Sequence, residues 1–185
     1  MNKHGWDKLT GAIMTDTQLH ILKTAMDWAK AEMFSSMFFA LFGVVFLFAS
    51  ASFWHLGKTE TAKAFVIPLL VTGILLVILG VGLMIANQWR LSTFPTAFAA
   101  DANAFLAAEI TRADKTVSGY QKAVQMYLPA IIAISALTLL IVRTPNWHAS
   151  MVAIIAMMAV IMLVDTNAAK RMEHYQDKLA EFHTS

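Results

Sequence analysis

Four stretches of the chain carry no Asp, Glu, Lys or Arg: those between Glu32 and Lys58, Lys63 and Arg90, Lys122 and Arg143, and Arg143 and Asp165. They contain 25, 26, 20 and 21 residues. A helix needs about 20 apolar residues to cross a hydrocarbon core. Lipid offers no partner to a bare peptide group, so each stretch is expected to be helical. The predicted spans are about 33–56, 65–88, 123–142 and 146–164. Pro68 and Pro129 fall one turn inside the second and third spans, where a proline costs little and marks at most a mild kink.

A second periodicity appears where the chain turns polar. Leu19, Leu22, Met26, Ala29 and Met33 recur at alternating intervals of three and four before the first span. Leu106, Ile110, Ala113, Val117, Tyr120 and Val124 do so before the third, and Ala168, Met172, Tyr175, Leu179 and Phe182 after the fourth. This is the heptad pattern that keeps one apolar stripe against a partner helix. Each stripe runs into its span without an intervening proline, which predicts helical extensions over about 16–32, 101–122 and 165–182. Three such stripes on neighbouring helices would bury one another, and at roughly 1.5–3 kcal/mol per fully buried large side chain a seam contributes several kcal/mol.

Local signals set the ends of these elements. Thr15, Asp16 and Thr17 are candidate caps for the first extension, and Asp101 or Pro95 for the start of the third helix. Ser92, Thr93 and Pro95 predict that the second span stops without an extension. Ser118-Gly119 interrupts the third pattern, so residues 96–117 either continue that helix or form a separate surface helix. Pro145-Asn146 reads as a turn.

Lysine and arginine positions orient the bundle. Four spans place both termini on one side, which holds Lys23, Lys30, Arg90, Arg112, Lys115, Lys122, Lys170, Arg171 and Lys178 near the membrane. The other side holds Lys58, Lys63 and Arg143, so the excess predicts cytoplasmic termini. Trp54, Trp89 and Trp147 fall at span ends, where interfacial anchors sit. The first fifteen residues are too polar, and too far from the first apolar run, for a cleavable signal peptide.

Composition agrees and narrows the chemistry. The 185 residues are 58% hydrophobic and 14% charged, the balance of a membrane protein. A formal charge of +2, with no basic patch interleaved with aromatics, gives no reason to expect nucleic-acid binding. Cysteine is absent, which excludes disulfides, thiol nucleophiles and cysteine-held clusters. No acidic, basic or histidine side chain lies deep in a span, which argues against a proton-coupled transporter or a voltage sensor. Small residues that suit close helix packing recur as Gly73 and Gly80, with Gly82 nearby, as Ala130, Ala133 and Ala136, and as Ala153, Ala156 and Ala159.

Candidate chemistry is sparse. His55 and His148 fall at the outer ends of the first and fourth spans, and His20 and His174 on the extensions of the same helices. Paired imidazoles of this kind can ligate haem, but an interfacial position accounts for them more simply. Glu173, His174 and Asp177 cluster, yet only His174 and Asp177 share a helix face, and no recurrent metal-ligand motif occurs. Glu32 and Asp165 flank the inner span ends, with Lys30, Arg112 or Lys122 as expected ion-pair partners. There is no glycine-rich phosphate loop and no nucleophile elbow.

The sequence therefore predicts an all-α fold: a polytopic four-transmembrane-helix bundle with helical cytoplasmic extensions, forming one membrane domain. It has no identifiable catalytic or cofactor site. The expected role is contact with other membrane proteins, as an accessory subunit or an immunity- or exclusion-type protein in a bacterial inner membrane. The interaction seam would be Leu19, Leu22, Met26, Leu106, Ile110, Val117, Tyr120, Met172, Tyr175, Leu179 and Phe182. The alternatives are a homo-oligomeric channel or transporter subunit and, behind it, a bis-histidine haem carrier.

Overall fold

The computed structural model describes the backbone of residues 16–184 and the side chains through residue 182. The candidate cap Thr15 and the polar first fifteen residues lie outside that range. Among the described residues the fold is all helical, with no strand. In order the elements are α1 (Asp16–Leu56), α2 (Glu60–Ala64), α3 (Val66–Ala100), α4 (Ala102–Lys122), a π-helical turn (Ala123–Tyr127), α5 (Leu128–Ile141) and α6 (Pro145–Thr184).

Four of these rods are long and apolar enough to cross a membrane: α1, α2 with α3, α4 through α5, and α6. The rod from Ala102 to Ile141 has 40 residues, which at 1.5 Å per residue makes it about 60 Å long. That is about twice the thickness of a hydrocarbon core. α1, α4 with α5, and α6 therefore each join an apolar half to a polar half, and α3 adds a shorter extension, residues 90–100. The polar halves gather at the end that holds both termini of the described chain, here called the polar end. The opposite end is closed by residues 57–59 with α2, and by residues 142–144.

Glycines hold the apolar halves of α1 and α3 together. A Cβ added to Gly73 would lie 2.9 Å from the Gly43 carbonyl oxygen, and one on Gly80 2.6 Å from the Ala40 nitrogen. Only the missing side chains allow so close a crossing. Gly43, the partner on α1, carried no sequence signal of its own. Gly82 faces open space. Near the loop end, the Ser50 hydroxyl donates across the same pair of helices to the Val66 carbonyl at 2.8 Å.

The polar end has its own core. Ile21, Leu22, Ala25, Trp28 and Ala29 of α1 pack with Phe94 and Phe98 of α3, Phe105, Leu106, Ala113 and Val117 of α4, and Met172, Tyr175 and Leu179 of α6. Four extensions meet there, not three. The expected stop at Ser92, Thr93 and Pro95 does not occur, because α3 runs through Pro95 to Ala100. The Ser92 and Thr93 hydroxyls bond back to the Trp89 carbonyl at 2.7 and 3.0 Å instead of capping an end. A proline inside a helix costs about 3 kcal/mol. Burying Phe94 and Phe98, each edge-on to Phe105, returns about 3–6 kcal/mol.

The remaining boundaries follow local chemistry. Asp101 is the N-cap of α4, its carboxylate accepting from the Ala104 amide at 2.9 Å. Residues 96–117 form no separate surface helix: 96–100 end α3, and α4 continues through Ser118-Gly119 into α5. Pro129 has no amide hydrogen for the Gln125 carbonyl, and the ladder slips one residue just before it, with the Leu128 amide bonded to the Ala123 carbonyl. Pro145 begins α6 instead of making a turn, as suits a residue with no amide to leave unpaired.

Candidate functional site

Where the apolar halves end, the helices bring charged side chains together. On α1, Trp28 and Glu32 lie four residues apart on one face. Arg171 and Tyr175 do the same on α6, and α4 adds Glu109 and Arg112, three apart. Arg171 donates to Glu32 Oε1 through a terminal nitrogen at 3.1 Å and through Nε at 3.3 Å. Arg112 grips Glu109 with Nε at 3.0 and 3.1 Å from its two oxygens and with a terminal nitrogen on Oε2. The Tyr175 hydroxyl donates to that same Oε2 at 2.8 Å, linking α6 to α4.

Aromatic faces complete the layer. Trp28 stacks on Tyr175 with centroids 5.1 Å apart and an interplanar angle of 18°. The Arg112 guanidinium lies 4.2 Å from the Trp28 ring centroid, with Arg90 at 5.6 Å. Both distances are within cation–π range. Arg90 also donates to the Asn87 side-chain oxygen at 2.7 Å. The Trp28 N–H is buried without a hydrogen-bond partner among the described residues, so stacking and packing hold the ring.

Burial sets the protonation preferences. The Glu32 carboxyl is pushed up by burial, against the opposing pull of Arg171. Asp165 is pushed up to about 6, by burial first and then by the Glu32 charge. Burial also raises the Tyr120 and Tyr175 hydroxyls, and the neighbouring carboxylates add to it. Burial and the like charge of Arg112 lower Arg90. Burial opposes the charge on Arg112 as well, but the bond to Glu109 outweighs it and raises the group.

These pairings differ from the expected ones. Glu32 pairs with Arg171, because α6 lies directly against α1. Lys30 turns outward to Asp27 on its own helix, and Arg112 is taken by Glu109. Asp165 has Glu32 and Tyr120 as its charged and polar neighbours. Glu109 was not singled out from sequence, although its spacing from Arg112 was a local signal.

The seam residues divide in two. Leu22, Leu106, Val117, Met172, Tyr175 and Leu179 are buried together, and Met26, Ile110, Tyr120 and Phe182 pack partly buried around them. Leu19 is 55% exposed. At about 100° per residue it lies about 120° around α1 from Ala25, the centre of the buried face. Polar bonds flank the seam between α4 and α6, from Gln176 to Asp114 at 2.6 Å and from Gln121 to Glu173 at 3.3 Å.

The small residues also part company. Gly73 and Gly80 lie in the α1–α3 crossing, Ala153 is buried and Ala156 half-buried. Ala130 and Ala133 are exposed on α5. His55 is exposed, whereas His148 is half-buried with Nε2 enclosed and unpartnered among the described residues. Among the described residues, no group of three or more His, Asp or Glu is placed to hold a metal ion.

The fold and this layer define a class: an all-α protein with four helices long and apolar enough to span a membrane, tied together where their apolar halves end by a charged and aromatic clamp. Comparison with protein-family models, curated proteins and solved structures gave no match.

Proposed function

We propose that the protein is an integral membrane protein that works by contact with other membrane proteins, either as an accessory subunit of a larger complex or as an immunity- or exclusion-type protein. In this reading it sits in a bacterial inner membrane with both termini cytoplasmic. The supporting observation is the position of α5. This helix packs against α6 and the π-helical turn and makes no comparable contact with α1 or α3. It buries Leu128 and Ser135. Ala130, Ala133, Leu137 and Leu140, spaced three, four and three, lie about 140–160° around the helix from Ser135 and are all exposed. This is the stripe a further transmembrane helix would pack on, with alanines allowing close approach. The seams at the polar end are already filled by their own chain, so the contact surface moves from them to α5.

The hydroxyls give little to a pore. Ser36, Ser52, Thr138 and Ser150 each bond back to a carbonyl of their own helix. The chain has no cysteine, so single introduced thiols report cleanly. A Leu137→Cys protein in native membranes should crosslink to a discrete membrane protein. Adding Ala133→Trp should abolish the adduct, and Phe48→Cys on α1 should not form it. Equal or absent crosslinking at both positions would contradict the proposal. Self-crosslinks accompanied by ion flux in liposomes would favour the homo-oligomeric channel instead.

A further inference from the structure

α1 and α6 do not close on each other along their whole length, and the space between them forms two adjoining grooves. The groove at the polar end, about 350 Å³, runs beside Trp28 and Tyr175 and is edged by Lys23, Arg171 and Lys178. Its neighbour, about 400 Å³, has walls of Phe34, Phe38 and Phe42 from α1 and Leu163 and Val164 from α6. Ala31 and Arg171 line both. The trough therefore passes from an aromatic and aliphatic channel in the apolar halves to a cationic rim just beyond them.

We propose that this trough binds one anionic phospholipid. An acyl chain lies along the three phenylalanines, and the phosphate meets Arg171, Lys23 and Lys178. The position suits a headgroup: Arg171 is six residues past Asp165, about 9 Å along the helix. Its side chain reaches back to line the apolar part as well. A guanidinium fork matches phosphate oxygens, and the lysines add charge without demanding one geometry. Neither lysine forms an ion pair among the described residues, while Asp27, the carboxylate on this rim, is held by Lys30 at 3.6 Å. Arg171 keeps Glu32 as a second partner, which holds it in place. The continuity of the two parts selects a lipid over a soluble anion, since a free phosphate would leave the apolar channel unused. The site depends on α1 and α6 and not on the α5 stripe, so it stands or falls separately from the proposed contact role.

Native mass spectrometry of the delipidated full-length protein tests this, with phosphatidylglycerol and phosphatidylcholine of identical acyl chains as probes. A single phosphatidylglycerol should be retained at least about tenfold more strongly than phosphatidylcholine, a preference within reach of two or three basic groups at a lipid surface. Lys23→Gln with Lys178→Gln should erase that preference. Ala31→Trp, which plugs the junction, should remove the single tight adduct, and circular dichroism should show both variants still helical. Glycerol phosphate should not compete at concentrations where the lipid saturates. Equal retention of the two lipids, a preference that survives the double lysine change, or displacement by glycerol phosphate at lipid-like concentrations would each overturn the proposal.

Discussion

Tyr175 joins three roles in one side chain: it fills the polar core, stacks on Trp28 and donates to a Glu109 oxygen that also receives Arg112. Tyr175→Phe keeps the ring but deletes the donor. Its expected cost is about 1.5–3 kcal/mol in unfolding free energy, the range for a hydrogen bond to a charged group, measured by thermal or denaturant melting in detergent. Asp165 behaves in the opposite sense. Its carboxyl is raised from an ordinary 3.8 to about 6 in the folded protein, because burial and Glu32 disfavour the charge. The folded state thus holds the proton more tightly than the unfolded one. That contribution to stability is fully present below about pH 4 and is lost as pH rises through 6. Asp165→Asn should therefore match the parent near pH 4 and melt higher than it at pH 7–8. A constant offset across that range would contradict the assignment.

Among the elements, α3 separates what the sequence showed from what it hid. A proline shortly after two hydroxyl residues is a sound local stop, and it masked the three-four spacing of Leu91, Phe94 and Phe98, which all pack on the polar core. Burial in a core shared with α1, α4 and α6, including edge-on contacts to Phe105, offsets the proline's cost. Phe98→Ala should cost about 3–5 kcal/mol, the price of emptying a buried aromatic site, whereas a helix ending at Pro95 would leave the change nearly silent in the same melting experiment. The four apolar rods and the seams on α4 and α6 were legible because a charge-free run and a three-four spacing are both local patterns. The buried face of α1 was partly legible: the three-four spacing caught Leu22 and Ala29 but added Leu19, Met26 and Met33 on one side of them, whereas the face that packs lies on the other side, at Ile21, Ala25, Trp28 and Glu32. Least legible was the charged layer. Glu32 and Arg171 are 139 residues apart, and only packing reveals that they meet.

At the scale of the whole molecule, two bundles are joined end to end and held by different forces. The apolar half relies on close backbone approach at Gly43, Gly73 and Gly80, and the polar half on apolar burial sealed by ion pairs. They should fail separately. Met172→Asp with Leu179→Asp puts two charges into the polar core at nearly fully enclosed positions. The polar half should then become sensitive to protease added from its own side, while the apolar rods stay protected. Unchanged protection of the polar half would show that it does not depend on that seam.

The central claim is that four helices continue as one bundle beyond their apolar halves. Hydrogen–deuterium exchange of the full-length protein in lipid nanodiscs tests it most directly. Amides in residues 90–100 and 166–182 should exchange orders of magnitude more slowly than an unstructured chain, because both segments are helical and pack into the same core. Exchange at the unprotected rate in both segments would mean that the polar halves are loose tails on a four-helix anchor, and the account would be wrong.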